Sequence, residues 1–282
     1  MSGSEVIGIV AGWGEYPMMV ARSLREQGHT VVVAAVHDHA PKEIEQLAHH
    51  TKWVGVCKLG QMQRFFRQHG VKHVCLSGKL FKDRILFQGW GWMGHFPDWE
   101  CVKTMLPIFY SRYRNTTDDS LLGAVVDSFG RCGMKTIPGT EFATQLIAEA
   151  GVLTKRKPNN NELADIEFGW AIAKQMGGLD IGQSVTVRDR TILAVEAIEG
   201  TDACIVRTGD ICRRGGFTLV KVAKPQQDMR FDVPTIGPQT IEKMKLHGGK
   251  SIAIEAGKTI LIHRERTLEM ANEFGITIVS RE

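Results

Sequence analysis

Val6-Ile7-Gly8-Ile9-Val10-Ala11-Gly12-Trp13-Gly14-Glu15-Tyr16-Pro17 decides how the first half of the chain is read. Val6 to Val10 is a short apolar run of strand character. The glycines that follow break it, and Pro17 to Gln27 carries Val20, Ala21 and Leu24 at helical spacing before Gly28. Thr30 to Val36 is a second apolar run, and the three segments form a βαβ unit. Glycines between a strand and a helix let backbone N–H groups approach an anion at the helix N-terminus. Gly12 and Gly14 are therefore candidate contacts for the nucleotide end of a ligand. The dinucleotide fingerprint G-x-G-x-x-G is only half present, because Pro17 stands where the third glycine belongs. Asp38, just after the second strand, keeps a nicotinamide dehydrogenase in view as a third reading.

The rhythm continues outward. Helix 41–49, strand 53–56, helix 61–69 and strand 73–76 follow at short spacing and predict a doubly wound parallel sheet with ligands at the carboxyl ends of its strands. Ser77-Gly78-Lys79 falls at one such end, making Lys79 a candidate anion contact. Residues 81–99 then gather Phe81, Trp90, Trp92, Phe96 and Trp99 on Gly-marked backbone, with Lys103, Arg112 and Arg114 beyond, the pattern of an apolar lid or a membrane contact. A helix from about 117 to 129, a strand at 135–137 and a short helix at 141–150 complete an expected first domain, residues 1–150. The basic, Pro-broken run Thr154-Lys155-Arg156-Lys157-Pro158 marks a linker over 151–162, and 163–282 is the expected second domain. That domain opens with a helix over 163–176 and a hairpin over 184–197. The predicted fold class is α/β, a Rossmann-like parallel-sheet domain followed by a second α/β domain.

Of the 282 residues, 43% are apolar and 23% charged, as in ordinary soluble globular proteins. The net charge of +4 is too mild to argue for a nucleic-acid partner. Six cysteines without a CxxC pair make a zinc cluster unexpected and point to reduced thiols in a cytoplasmic setting. No secretory signal or membrane-spanning run is apparent. A homodimer is compatible with the aromatic stretch.

Two constellations carry chemistry. Lys221 to Gly237 places Lys221, Lys224, Asp228, Arg230 and Asp232 between Pro225, Pro234 and Gly237, a composition that suits neither helix nor strand. A stiff charged loop beside the helix at 239–247 suits a phosphate ester with a divalent metal, the carboxylates holding the ion or activating water and the cations facing phosphoryl oxygens. The second is Glu196-Ala197-Ile198-Glu199-Gly200-Thr201-Asp202, where three acids and a hydroxyl collect between a strand and a helix. Thr201 is a candidate cap for that helix.

These segments resemble one family. I-x-A-G-x-G-x-x-P at 9–17, T-D-D-S-L-L at 117–122, L-D-I-G-Q at 179–183, A-V-E-A-I-E-G-T-D at 194–202, K-x-x-K-P-x-Q-D-x-R-x-D-x-P-T-I-G at 221–237 and E-A-G-K at 255–258 are similar to motifs of the LpxI-type UDP-2,3-diacylglucosamine pyrophosphatases. The resemblance spans nearly the whole chain. It implies a lipid nucleotide enclosed by two domains and a Mg²⁺-dependent (or Mn²⁺-dependent) hydrolysis to UMP and 2,3-diacylglucosamine 1-phosphate on the way to lipid A. It also implies an essential aspartate at Asp232 and a peripheral seat on the inner membrane's cytoplasmic face. Together the readings give Asp232, Lys224 and Glu199 as catalytic, and Asp232, Glu196 and Asp228 as metal ligands. Gly12, Gly14, Lys79, Thr201, Asp202, Lys221, Arg230 and Thr235 are the expected substrate contacts. The rival from another class is a non-catalytic regulator that binds a nucleotide-sugar or lipid.

Overall fold

The computed structural model describes residues 4–80, 96–110 and 118–282, which divide into two compact units. The first comprises residues up to Thr144 together with Arg230–Asp232; the second holds Gln145–Met229 and Val233–Glu282. The two-domain α/β class expected from the sequence is the one observed.

In the first unit, β1 (Val6–Ala11), β2 (Thr30–Val36), β3 (His50–Val54), β4 (His73–Ser77) and β5 (Lys135–Thr136) form one parallel sheet in the order β3-β2-β1-β4-β5. The order reverses between β1 and β4, the place where open α/β sheets leave a crevice at their carboxyl ends. Helix α1 (Tyr16–Glu26) buries Val20, Ala21 and Leu24, the face its spacing predicts. Helix α2 is only Ile44–Leu47, and α3 (Leu59–Gln68) buries Met62, Phe65 and Phe66. Helices α4 (Trp99–Tyr110) and α5 (Asp118–Arg131) complete the layer, with Phe129 in the same core as Phe66. Residues 141–150 were expected as a helix. They form instead two 3₁₀ turns, Gly139–Glu141 and Thr144–Leu146, after Pro138. Phe81, Trp90 and Trp92, with Arg112 and Arg114, lie outside the described residues.

The second unit is a mixed six-stranded sheet in the order β6-β13-β11-β9-β7-β8, covered on both faces. Its strands are β6 (Gly151–Val152), β7 (Ser184–Arg188), β8 (Thr191–Val195), β9 (Phe217–Lys221), β11 (Gly249–Glu255) and β13 (Thr277–Arg281). Strand period decides which residues face which layer. Phe217 and Leu219 of β9 join Ile252 and Ile254 of β11 against α7 (Thr201–Ile211), α8 (Pro238–Leu246) and α9 (Arg264–Glu273). Val220, just beyond them, joins Val222 and Ala253 against α6 (Asn160–Gly178) on the other face. Gly169 lets α6 approach: a Cβ there would stand 2.7 Å from Val187 and 2.8 Å from Val220. A small parallel pair, β10 (Thr235–Ile236) with β12 (Ile260–Leu261), completes the unit.

The run read as a linker is part of this unit. Gly151 and Val152 pair antiparallel with β13, and the Arg156 guanidinium reaches the buried Glu162 at 2.7 Å. Asn159 caps α6: its side chain accepts from the Glu162 N–H while Glu162 accepts from the Asn159 N–H, both at 2.9 Å. The basic residues there serve tertiary contacts, which composition alone does not reveal. Such a box contributes about 1 kcal/mol. Asn159→Ala is therefore expected to lower the denaturation midpoint by about that amount in a urea titration, with an unchanged slope.

Candidate active site

The carboxyl end of β9 joins three of the second unit's candidates, Lys221, Thr201 and Glu196. The strand is buried along its length, including Lys221 itself, which is 5% exposed. The Lys221 ammonium donates to Thr201 Oγ1 at 2.6 Å, and the Thr201 hydroxyl donates to Glu196 Oε1 at 2.9 Å. One hydroxyl thus joins a buried cation to a buried anion. Glu196, just past β8, keeps Oε2 buried without a hydrogen-bond partner among the described residues. Lys221 uses one of its three N–H donors there. Thr201 was expected to cap α7, but the N-cap is Gly200, at φ 84°, and the hydroxyl turns to Glu196.

Glu199 has a different setting. Its carboxylate holds Arg207 at 2.6 Å and the Ala197 N–H at 3.1 Å, which ties the turn to the exposed side of α7. Asp202 is exposed in the first turn of α7, where an acid suits the helix dipole. Lys224 is paired with Asp180 at 2.5 Å, and Asp180 takes φ 56° in the turn after α6. Thr235 donates to the Val233 carbonyl at 3.0 Å while its backbone joins β10 to β12.

Arg230, Phe231 and Asp232 belong to the first unit, although the residues on either side count with the second. Phe231 packs on the first unit's core. Asp232, beside it, is a half-buried carboxylate that no hydrogen bond or ion pair reaches among the described residues. Arg230 borders a cavity of about 640 Å³ whose lining includes Asp127, Arg131, Lys135, Thr136 and Glu141. Asp228, half-buried, counts with the second unit.

At the β1–β4 crossover the glycines serve close approach. Gly12 N–H donates to the Ser77 carbonyl at 2.7 Å and Trp13 N–H to the Lys79 carbonyl at 2.8 Å. A Cβ on Gly12 would stand 2.7 Å from the Lys79 carbonyl oxygen. Those two donors are consumed by the chain itself. Gly14, at φ 103° and with open space around it, leads into α1. Lys79 is exposed. Among the described residues Tyr16 Oη and Ser77 Oγ are buried without hydrogen-bond partners at this crossover, and burial pushes the Tyr16 phenol well above its usual range, with Cys75 adding to the shift.

The donor chemistry fits a hard, oxygen-ligated cation in one respect: Glu196 Oε2 is a carboxylate oxygen unpaired among the described residues. Among the described residues no group of three or more His, Cys, Asp or Glu side chains stands together as a ready cage. Two residues missed by sequence reasoning adjoin the site. Glu255 at the end of β11 accepts from Lys174 of α6 at 2.6 Å and from Lys258 at 2.8 Å. Burial pushes the Glu255 carboxyl up, but hydrogen bonds from Lys174, Lys258 and the Ala223 N–H outweigh it and leave the group below the usual carboxylate range. Its place in E-A-G-K at 255–258 was the available signal.

Fold and site define a two-domain α/β protein with lysines and carboxylates at the sheet ends and a carboxylate-bearing loop, a class suited to phosphate-ester ligands. The chain belongs to the LpxI family: the LpxI N-terminal domain matches residues 6–146 and the LpxI C-terminal domain residues 149–279. It is 29% identical over 280 residues, covering 97% of this chain and 96% of the relative, to the UDP-2,3-diacylglucosamine pyrophosphatase LpxI of Caulobacter vibrioides.

Thr201→Val keeps the shape and removes the link between Lys221 and Glu196. It is expected to cost about 1–3 kcal/mol, because two buried charged groups lose a partner. Thr201→Ser, which retains the hydroxyl, is expected to recover most of that loss in the same denaturation experiment.

Proposed function

We propose that this chain hydrolyses the diphosphate of UDP-2,3-diacylglucosamine, releasing UMP and 2,3-diacylglucosamine 1-phosphate in lipid A biosynthesis. The observation that carries the reading is the match of both LpxI domains in order along the chain, with a nearly full-length relative named for that activity. The direct test is to incubate the purified protein with UDP-2,3-diacylglucosamine and Mg²⁺ and follow UMP. Recovery of the intact diphosphate at stoichiometric binding would make the protein a binder instead.

In this reading Lys221 and Lys224 meet phosphoryl oxygens. Lys221 has two N–H donors beyond its bond to Thr201, and a buried ammonium interacts strongly with an anion that excludes water. Lys224 exchanges or shares its partner Asp180 when the substrate arrives. Arg230 contributes a further cation. Asp232, lacking any partner among the described residues, supplies a carboxylate for water activation or for a divalent ion. Mg²⁺ or Mn²⁺, held by Asp232, Glu196 or Asp228, would polarise a phosphoryl oxygen and offset its charge. Mg²⁺ commonly takes one or two carboxylates and completes its shell with phosphate and water, so the absence of a preformed cage among the described residues is compatible with it. Asp232→Asn is expected to lower kcat by a factor of about 10² or more while leaving the thermal midpoint in place. Near-normal turnover in that variant would remove Asp232 from the mechanism.

A peripheral membrane contact belongs to the same proposal. Among the described residues no helix is long and apolar enough to cross a membrane. Trp99 is 79% exposed, and Phe96 and Leu106 are each about half exposed, so apolar surface near the aromatic stretch faces outward. Trp99→Ser is expected to weaken sedimentation with phospholipid vesicles several-fold while leaving hydrolysis of a deacylated analogue unchanged. Unaltered sedimentation would assign Trp99 to another role.

A further inference from the structure

Beyond Lys221 the chain leaves the sheet, and the backbone groups that follow need partners other than a neighbouring strand. They have them. Val222 N–H donates to the Gln183 carbonyl at 2.9 Å, Ala223 N–H to Glu255 Oε2 at 2.8 Å and Lys224 N–H to Gln227 Oε1 at 2.7 Å. The Ala223 carbonyl accepts from Lys174 Nζ at 2.9 Å, and the same ammonium holds Glu255 Oε2 at 2.6 Å. One ion pair therefore grips both backbone polar groups of a single residue, between Lys221 and Lys224.

The last turn of α6 finishes the grip. Gly177 brings the helix against the loop: a Cβ there would stand 3.2 Å from Lys224 Cα and 3.3 Å from Pro225 Cδ. The Gly177 carbonyl accepts from Gln226 Nε2 at 2.9 Å. Both oxygens of Glu255 are occupied, one by Lys174 and Ala223 and the other by Lys258. Lys174 is committed to Glu255 and to the Ala223 carbonyl. Neither side chain has its charge directed at a ligand.

We propose that Lys174 and Glu255 are positioning residues for the reaction, fixing through the Ala223 peptide the directions from which Lys221 and Lys224 meet the diphosphate. The proposal rests on the reading that those two lysines contact the substrate. An ion pair serving stability alone needs no contact with Ala223, whereas here each partner binds a different polar group of that residue. Misplacing a reacting or charge-bearing group by about 1 Å can cost roughly 10²-fold in rate.

The test is a double-mutant cycle on the hydrolysis of UDP-2,3-diacylglucosamine. Lys174→Met is expected to lower kcat/KM by about tenfold or more, and Lys174→Arg to recover most of it, since a guanidinium still donates to a carboxylate and a carbonyl. In a Lys224→Ala background, Lys174→Met is expected to cost much less than it does alone, because the group it orients is gone. Should Lys174→Met fail to fold, Glu255→Gln serves the same cycle, removing the charge while leaving an acceptor for Ala223. Losses that simply add, or a silent Lys174→Met or Glu255→Gln, overturn the positioning role. A Lys224→Ala variant with unchanged kinetics instead overturns the assignment of Lys224 to the diphosphate, a distinct result.

Discussion

Burying the ammonium of Lys221 at the carboxyl end of β9 is the constraint around which the second unit is arranged. A cation taken out of water needs a nearby acceptor and countercharge, or the desolvation cost is not offset. The answer is indirect. Thr201 supplies the acceptor and Glu196 the charge behind it, so the start of α7 and the exit of β8 are both committed to one end of β9. The strand is flanked by β11 and β7 and covered by helices on both faces, which leaves its end as the place where a polar group can point without meeting the core. Lys174 and Glu255 then secure the chain as it departs.

The first unit meets a related demand with backbone. A dinucleotide-binding turn keeps N–H groups available for a pyrophosphate, with a third glycine for the approach of helix to strand. Here Gly12 and Trp13 donate to Ser77 and Lys79, closing the β1–β4 crossover on itself. Pro17 stands near the start of α1, where its missing N–H costs little. The glycines that suggested a nucleotide loop are therefore explained in large part by two strands that extend each other past their ends. A Cβ at Gly12 has no room against the Lys79 carbonyl, and this alone selects glycine there. A nicotinamide dehydrogenase reading loses the donors it would have used.

Local pattern made the β1–α1–β2 unit, the hairpin and the alternating helices and strands legible, because apolar spacing directly reports which face is buried. Residues 141–150 were harder: Leu146 and Ala148 are buried, but Pro138 and Gly139 allow a 3₁₀ turn to deliver them as readily as a helix. The stretch 151–162 looked like a linker because Lys155, Arg156 and Lys157 are charged. The pairing of Val152 with Val279 and of Arg156 with Glu162 is tertiary information. The candidate site was legible as two clusters of charge, and their internal division was not. Glu196 and Glu199 are three residues apart, yet one is buried with an orphaned oxygen and the other is tied to Arg207 near the surface. Lys174 had no signature and Glu255 only its place in E-A-G-K, since they meet Ala223 from 49 and 32 residues away.

The loop from Val222 to Ile236 shows why a carboxylate with no protein partner among the described residues can persist at Asp232. Its first part is fixed by α6, Glu255 and Gln183, and its last two residues are fixed by the β10–β12 pairing. Between them Phe231 is anchored in the first unit's core. Asp232 therefore has its backbone position set by its neighbours and contributes no stabilising contact of its own among the described residues. Native structures satisfy nearly all their buried polar groups, and the exceptions concentrate where a ligand completes the set. Glu196 Oε2 is such an exception among the described residues, its other oxygen held by a Thr201 hydroxyl that Lys221 already engages. A buried carboxylate oxygen left incomplete on backbone that its neighbours fix is the kind of group a ligand completes. In the proposed reading the surrounding contacts carry the cost of holding the charge, which stays available for substrate, water or a divalent ion.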